Sequence, residues 1–494
     1  MPLDFIDGNA RNTGYRVSGA GDGENLRGEG TKLRRRFNIT GLCVPEKHYM
    51  VDMTERVNAM KALVDEGVYF TINRARQYGK TTTLNSLVKR IADEYLVVSM
   101  DFQAIGSGSF EDEAAFSRAF AALFLREMED LQEILKEGDL AEVVDELTDF
   151  ILKSGNRILL IDLFGWLLKF CKASAKPVVL IIDEVDSAAN NQVFLDFLGQ
   201  LRNYYLARDK KGIKTFQSVV LAGVYDIKNL RRKIRPGEEH KVNSPWNVAI
   251  EFKGNMSFTK KDIVGMLREY EEDRHTGMDV DEMAGLLSDY TAGYPFLVSR
   301  LCKLMDEEVG EDWRAGVTRK VDSDWEAGAT GGVDSDWEAG VTGEGNSDGK
   351  DSDRESGGRR MAWTREGFFA AERVLLAEKN TLFESLTGKL QDYPELNEVL
   401  KSILFTGTDI AYNADQPVLD MATMFGFIVN KNGIVAIANR IFETRLYNFY
   451  LSEASVRQLD IYRESQRQNT GGGCGLRKYD RMGQLQEPLR ELCN

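Results

Sequence analysis

A short and almost wholly aliphatic segment, Pro177-Val-Val-Leu-Ile-Ile182, places the strongest constraint on the fold of this chain. A strand whose side chains are all apolar must be covered on both faces, as in parallel sheets flanked by helices. Further β-rich segments alternate with amphipathic helical patterns: strands at 69–73, 95–101 and 216–222, and helices at 81–92, 112–137 and 191–207. The alternation predicts an α/β fold with a doubly wound parallel sheet.

The segment between the first strand and the helix after it has the pattern of a phosphate-binding loop, ending in Gly79-Lys80-Thr81. Lys80 is expected to reach the β- and γ-phosphates of ATP, and the Thr81 hydroxyl is expected to bind Mg²⁺. Backbone amides and side chains around them would hold the remaining phosphate oxygens. The predicted cofactor-binding residues are Gln77, Tyr78, Gly79, Lys80, Thr81 and Thr82. Arg74 stands where the general pattern has glycine.

An acidic pair, Asp183-Glu184, follows the aliphatic strand. The carboxyl ends of parallel strands meet at one edge of the sheet, so this pair should lie near the phosphate loop. Asp183 is suited to holding Mg²⁺ through water or through Thr81. Glu184 is suited to polarising the attacking water as a general base. Glu184 and Lys80 are the predicted catalytic residues. Either motif alone is common by chance, but their order and strand contexts together favour an ATP site.

Together these motifs resemble those of AAA-ATPase-like P-loop proteins, and more narrowly an AAA-like group close to the STAND (signal-transduction) ATPases. The resemblance extends over about 37–308 and 363–452, on the segments 47–52, 70–82, 180–186, 221–226, 293–297 and 439–445. It implies a P-loop NTPase domain with a helical lid, and ATP and Mg²⁺ as its ligands. Some relatives continue into a PD-(D/E)XK nuclease-like domain, but no Asp…Glu-x-Lys pair follows residue 453, so nuclease activity is not predicted.

The same resemblance implies further positions near the nucleotide. The strand at 216–222 would end beside the γ-phosphate in a sensor position, near Gly223, Tyr225 and Asp226. The segment Gly293-Tyr294-Pro295 would begin a lid helix that faces the nucleotide, although a simple turn before a helix has the same pattern. A basic cluster after the sensor strand would supply an arginine to a neighbouring subunit or would only be solvated: Arg231, Arg232 and Arg235.

The composition changes sharply outside these regions. Residues 1–36 are predicted to be a flexible leader and 454–494 a disordered tail, because both are rich in glycine and charge. Between them, 309–360 is predicted to be an acidic linker. It carries three copies of an Asp-Trp-(Glu/Arg)-Ala-Gly motif, at Asp312, Asp324 and Asp336, which is too little to bury a core. A docking role for these tryptophans is the alternative.

The region 363–453 is predicted to be a winged-helix-like α+β module. Helical patterns at 364–378 and 394–405 precede a hairpin at 426–437, whose turn is Asn430-Lys-Asn-Gly433. Such a module can bind DNA or pack on the ATPase core and sense its state. DNA contacts would come from Lys431, Arg440 and Arg445, but the lack of a dense basic face favours packing.

Charge and composition exclude several classes of protein. Lys and Arg number 63 against 78 Asp and Glu, for a net charge of −15, which is not expected of a protein that coats nucleic acid. Five scattered cysteines and three histidines favour neither a disulfide framework nor a zinc site. Neither a secretion signal nor a membrane span is predicted, so we expect a cytoplasmic protein. A protein kinase is disfavoured because the chain has no His-Arg-Asp segment.

These observations predict an ATP-hydrolysing P-loop switch, with an unidentified protein or a second copy of the chain as partner. A non-hydrolysing nucleotide-binding adaptor and a DNA-binding ATPase remain as alternatives.

Overall fold

A five-stranded parallel sheet lies at the centre of the computed structural model, with the strand order β2-β3-β4-β1-β5. The strands are β1 (Phe70–Asn73), β2 (Leu96–Asp101), β3 (Val178–Asp183), β4 (Ser218–Gly223) and β5 (Ile250–Glu251). The predicted parallel α/β sheet is therefore confirmed. The strand β4 lies between β1 and β3, so the loop after β1 and the acids after β3 face each other across the end of β4.

The structure describes residues 34–129, 139–153, 157–188, 191–224, 246–309 and 361–458. All of the helices and strands named here belong to one compact unit, which begins at Arg35. Residues 1–33 of the predicted leader, the repeats of the predicted linker and the tail from residue 459 lie outside these ranges.

Both faces of the sheet are covered by helices, which explains why β3 is aliphatic from Val178 to Ile182. Val179 and Ile181 pack with α1 (Thr54–Asp65) and α2 (Lys80–Ile91) on one face. Val178, Leu180 and Ile182 pack on the opposite face. The helices of that second face are α3 (Glu113–Glu129), α4 (Asp139–Lys153), α5 (Leu160–Ala173) and α6 (Gln192–Lys211). All six residues of β3 are buried, as the sequence predicts.

Three helices follow the sheet in the region that is predicted to be the lid, and they are called the lid region or lid from here on. They are α7 (Lys260–Arg274), α8 (Val280–Thr291) and α9 (Pro295–Lys303), and α9 continues as a π-helix over Leu304–Val309. Arg35 and Arg36, which the sequence places in the flexible leader, make ordered contacts, and Arg35 contacts the first of these helices. Arg35 donates to Glu269 Oε2 at 2.6 Å and to Asp273 Oδ2 at 2.9 Å, and its guanidinium lies over the ring of Tyr49. The amide of Arg36 donates to the Lys47 carbonyl at 3.0 Å.

The C-terminal module contains helices and the predicted hairpin. Its helices are α10 (Arg365–Ala377), α11 (Thr381–Asp392), α12 (Pro394–Lys401), α13 (Pro417–Met424) and α14 (Arg440–Gln458), with a π-helix at Ser402–Thr406. The hairpin consists of β6 (Ile428–Lys431) and β7 (Ile434–Ile437). Asn432 and Gly433 in its turn have φ of 53° and 87°, the left-handed conformation that two-residue hairpin turns require. The helices α11, α13 and α14 are additional to the sequence prediction, and α14 extends to Gln458, past the start of the predicted disordered tail at 454.

The C-terminal module and the lid share one hydrophobic cluster. Within it, Trp363 donates from Nε1 to the Tyr270 hydroxyl at 3.0 Å, and Arg300 of α9 pairs with Glu378 after α10. Among the helices that the structure describes, none combines the length and the apolar character that a bilayer span requires.

Candidate nucleotide site

The phosphate loop runs from Arg74 to Gly79 and is fixed at both ends. At its start, the Arg74 amide donates to the Gly223 carbonyl of β4 at 3.0 Å. At its end, Gly79 has a φ of 75° and caps α2, and its carbonyl accepts from the Thr83 amide at 3.0 Å and from the Thr83 hydroxyl at 2.9 Å. The first amides of a helix have no partner inside the helix, so the start of α2 can donate to an anion.

Lys80 is the most enclosed cation of this loop, with only 4% of its surface exposed. Its Nζ donates to the carbonyl of Arg74 at 3.1 Å and to that of Ala75 at 3.3 Å. Burying an ammonium is costly unless it is hydrogen-bonded, and these two carbonyls meet that need. The ammonium thus lies inside the curve of the loop, where a phosphate oxygen would approach.

The predicted metal ligands Thr81 and Asp183 are brought together, although 102 residues separate them in the sequence. The Thr81 hydroxyl donates to Asp183 Oδ2 at 2.6 Å, and the other carboxylate oxygen accepts from the Glu184 amide at 2.9 Å. Asp183 is 8% exposed. A hydroxyl and a carboxylate are hard oxygen donors, the kind that Mg²⁺ prefers, so the residues present fit this ion.

Glu184 occupies an unusual backbone position, with a φ of 52°. Burial raises the pKa of its carboxyl above the ordinary value, Lys80 opposes that shift, and the charges of Asp183 and Asp186 reinforce it. A carboxyl with a raised pKa beside a buried cation is typical of a general base.

Sequence reasoning missed Asp101 as a neighbour of this pair. It ends β2 and is in register with Asp183 on the adjacent strand. Burial raises its pKa, and the charge of Asp183 adds to the shift. The sequence did contain a signal for this position, because Asp101 is the last residue of the predicted strand at 95–101.

A cavity of about 460 Å³ opens beside the loop. It is lined by all six predicted cofactor-binding residues, by Glu184, by parts of the segment between Asn38 and Met53, and by Phe258, Pro295 and Phe296 of the lid region. The segment before β1 reaches the loop through the Cys43 amide, which donates to the Thr82 hydroxyl at 3.3 Å. Sequence reasoning did not place this segment at the cavity, since it has no periodic pattern and its contacts are distant in sequence.

The end of β4, near which the sensor position is predicted, lies against the loop after β3. Asp186 Oδ2 accepts from the Val224 amide at 2.7 Å, and a Cβ at Gly223 would lie 2.8 Å from Asp186 Oδ1. Tyr225, Asp226 and the basic cluster of Arg231, Arg232 and Arg235 lie outside the described residues.

The segment Gly293-Tyr294-Pro295 contacts the phosphate loop directly. Pro295 is the first residue of α9. The Tyr294 hydroxyl donates to the Arg76 carbonyl at 2.5 Å, and its ring lies 4.6 Å from that of Tyr78. Gly293 has a φ of 71°, and a Cβ there would lie 1.9 Å from the Phe258 carbonyl oxygen. The segment therefore links the lid helix to the loop backbone.

Arg74, which replaces the usual glycine, holds the start of the loop. Its guanidinium donates to the carbonyls of Asn73 at 2.7 Å and Gly254 at 3.2 Å, and pairs with Glu251 at 3.3 Å. These contacts tie the loop to the edge strand β5.

The three basic residues considered for DNA contact have different surroundings. Lys431 is exposed at the hairpin turn. Arg440 lies over the Tyr290 ring of α8 at 4.4 Å. Arg445 donates to the Leu376 carbonyl and lies 4.7 Å from the Phe383 ring, and burial lowers its pKa. Arg445 is therefore engaged inside the molecule, whereas Arg440 stacks on Tyr290 and stays exposed.

No group of three or more His, Cys, Asp and Glu side chains within the described ranges is arranged to hold a metal ion. An Mg²⁺ ion bound at Thr81 and Asp183 would therefore take further ligands from the phosphates of a nucleotide.

Residues 44–309, more than half of the chain, match the family model described as the AAA-like domain. No curated protein sequence matches the chain. Among solved structures, a Walker-type ATPase of Pyrococcus abyssi is similar with a TM-score of 0.50 and 12% identity, over 83% of this chain and 99% of that one. At that identity the likeness shows the fold alone.

Two further structures from Aeropyrum pernix match more distantly. The ORC2 protein in ADPNP–ADP complexes has a TM-score of 0.39 and 12% identity, over 86% of this chain and 99% of that one. The ORC1 protein in complex with DNA has a TM-score of 0.30 and 12% identity, over 81% and 93%.

Proposed function

The chain belongs to the AAA-like domain family of P-loop ATPases, and from this premise we propose that it binds ATP with Mg²⁺, hydrolyses it, and acts as a nucleotide-dependent switch. In this proposal Lys80 and the amides of the phosphate loop hold the triphosphate. The cavity beside the loop takes the nucleoside.

One observation carries the proposal: the ammonium of Lys80, the Thr81–Asp183 hydrogen bond of 2.6 Å and the carboxyl of Glu184 adjoin the same loop. A triphosphate needs a cation, hydrogen-bond donors and a place for its metal ion within one cavity. Here all three come from two sequence segments that the sheet brings to a single edge.

The metal would be held by Thr81 and Asp183. When bound, Mg²⁺ would neutralise phosphate charge and orient the triphosphate. The hydrogen bond of 2.6 Å from the Thr81 hydroxyl to Asp183 supports this proposal.

Glu184 would act as the general base. Its raised pKa lets it accept a proton from water more readily than an ordinary glutamate would, and its αL backbone position is set by the tight turn after β3. Lys80 would stabilise the charge that develops on the phosphate oxygens.

The C-terminal module would serve as the part that responds to the nucleotide. Helices α10 to α13 followed by the hairpin of β6 and β7 support a winged-helix-like assignment of 363–453. The stacking of Arg440 on Tyr290 of the lid region supports packing of the module on the ATPase domain, and the contacts of Arg445 within the module leave it little available to DNA. The output would pass to a protein partner or to a second copy of the chain.

The hydrolysis step is tested by phosphate release from ATP–Mg²⁺ under single-turnover conditions. Glu184→Gln should retain ATP binding and lose at least about 100-fold in rate, the usual range for removing a general base. Glu66→Gln, an exposed glutamate beyond α1, serves as the matched control and should keep the wild-type rate. Equal rates in wild type and Glu184→Gln would favour the non-hydrolysing adaptor.

A further inference from the structure

Three consecutive residues of the phosphate loop contact the lid or the C-terminal module. Gln77 Nε2 donates to the hydroxyl of Thr381, the first residue of α11, at 2.9 Å. A Cβ at Gly426 would lie 3.2 Å from Ala75 Cβ, so the turn before β6 touches the loop. The carbonyl of Arg76 accepts from Tyr294, whose ring lies 5.6 Å from that of Phe442 in α14. The module thus reaches the loop directly as well as through the lid.

Gln77 is the residue of the loop whose backbone conformation depends most on such contacts. Its φ of 58° lies in the left-handed region, which a residue with a side chain adopts only when its surroundings hold it there. Its side chain is half-buried, its hydrogen bond to Thr381 is exposed to solvent, and its Oε1 is buried without a hydrogen-bond partner among the described residues. The single side-chain hydrogen bond to Thr381 therefore fixes the amide group.

The backbone of Gln77 sets the direction of the amides that follow it. Gln77 lines the 460 Å³ cavity together with Tyr78, Gly79 and Lys80, whose amides are the expected phosphate donors. A change in the dihedral angles of Gln77 would rotate those amides away from a common point. Holding Gln77 therefore preorganises the loop for an anion.

We propose that Gln77 and Thr381 form a positioning pair, through which the docked C-terminal module holds the phosphate loop in its nucleotide-binding conformation. The inference rests on the proposed function in taking the cavity as the ATP site. Neither side chain performs chemistry on the nucleotide. The role of the pair is to couple ATP affinity to the docking of α11.

The sign of this coupling is positive. With the module docked, the cavity beside Lys80 remains open, so the nucleotide and the module can be bound at the same time. A contact that stabilises the binding conformation raises ATP affinity. By linkage, ATP must then strengthen docking of the module by the same factor.

Thr381→Val tests the pair, since it removes the hydroxyl and keeps the shape of the side chain. Losing one such hydrogen bond should weaken ATP–Mg²⁺ binding by about three- to tenfold. The matched control is Thr387→Val on the same helix, whose hydroxyl donates only within α11, to the Phe383 carbonyl at 3.0 Å and the Glu384 carbonyl at 3.2 Å. It should bind ATP as the wild type does.

A double-mutant cycle with Gln77→Met separates a pairwise contact from two independent effects. If the two side chains act together, the double variant binds ATP no more weakly than the worse single variant. Additive losses, or tighter binding by Thr381→Val, would overturn the proposal. Tighter binding would mean that the module restrains the loop instead of preparing it.

Hydrogen–deuterium exchange of the full chain without nucleotide tests the pair independently of ATP. Amides 75–80 should exchange several-fold faster in Thr381→Val than in the wild type and in Thr387→Val. Unchanged exchange would refute the positioning role even if ATP binds. If Thr381→Val exchanges faster but the wild-type chain binds no ATP, the positioning role of the pair is supported and the proposed function is rejected.

Discussion

At the scale of single residues, the site holds more negative charge than a stable core would. Asp101, Asp183 and Glu184 converge at the ends of β2 and β3, and burial raises the pKa of Asp101 and of Glu184. Lys80 supplies the opposing charge. Such an arrangement costs stability in the free protein and becomes favourable once a metal ion and a phosphate are added.

The raised pKa of Glu184 predicts a specific pH dependence of ATP hydrolysis. A general base must be deprotonated, so the single-turnover rate should fall about tenfold per pH unit on the acidic side of this pKa. That fall should begin above the ordinary glutamate value of 4.5, because burial favours the protonated form. Phosphate release measured from neutral pH down to the ordinary glutamate value of 4.5 checks this. A rate that stays constant over that whole range would argue against Glu184 as the base.

The same residue predicts a gain in stability when its charge is removed. A carboxyl whose pKa is raised by folding contributes stability below its unfolded pKa, and this is lost as the pH rises through the folded value. At neutral pH the ionised Glu184 therefore opposes folding. Glu184→Gln should raise the melting temperature of the nucleotide-free protein by about 1–3 °C, while Glu66→Gln leaves it unchanged. A lower melting temperature would show that the carboxylate stabilises the fold.

At the scale of elements, the sheet was predictable and the surroundings of the nucleotide were not. The five aliphatic residues Val178 to Ile182 demand cover on both faces, and their alternate side chains do pack with opposite helix layers. The order Gly-Lys-Thr and Asp-Glu in strand contexts located the loop and the acids. By contrast, the Gln77–Thr381 contact spans 304 residues, and no local pattern reports a contact of that range.

The turn before α9 is an element whose geometry only glycine allows. Gly293 combines a φ of 71° with a Cβ position 1.9 Å from the Phe258 carbonyl oxygen, so any side chain must displace backbone. Gly293→Ala should destabilise the protein by about 2–4 kcal/mol. Gly165→Ala, in the exposed middle of α5 where an added Cβ meets nothing, should instead stabilise by up to about 1 kcal/mol. Urea unfolding of both variants measures the difference, and equal stabilities would contradict the described turn.

At the scale of the whole molecule, an aromatic cluster joins the chain before β1, the lid and the C-terminal module. Trp363 lies 4.6 Å from the ring of Tyr270, and Phe37 lies 5.0 Å from both Tyr270 and Tyr49. The Tyr270 hydroxyl donates to Asp306 at 2.6 Å. These contacts connect segments that the sequence separates into different regions, which is why composition alone did not place Arg35 with the lid.

Removing the indole at this junction should loosen all three parts together. Trp363 is 2% exposed, and Trp363→Ala should cost about 3–5 kcal/mol of the free energy of unfolding. Trp363→Phe keeps a ring, loses the hydrogen bond to Tyr270 and should cost less. Denaturant unfolding followed by tyrosine and tryptophan fluorescence measures both. A loss below about 1 kcal/mol for the alanine variant would show that the cluster does not join these parts.

The central claim is that the loop around Lys80 is the site of ATP binding, and equilibrium titration of the full chain with ATP–Mg²⁺ tests it most directly. Lys80→Ala should weaken binding by at least about 100-fold, the effect of losing a desolvated charge pair, without a change in melting temperature greater than a few degrees. Lys89→Ala, an exposed lysine on the same helix α2, should bind ATP with wild-type affinity. Wild-type affinity in Lys80→Ala would contradict the account.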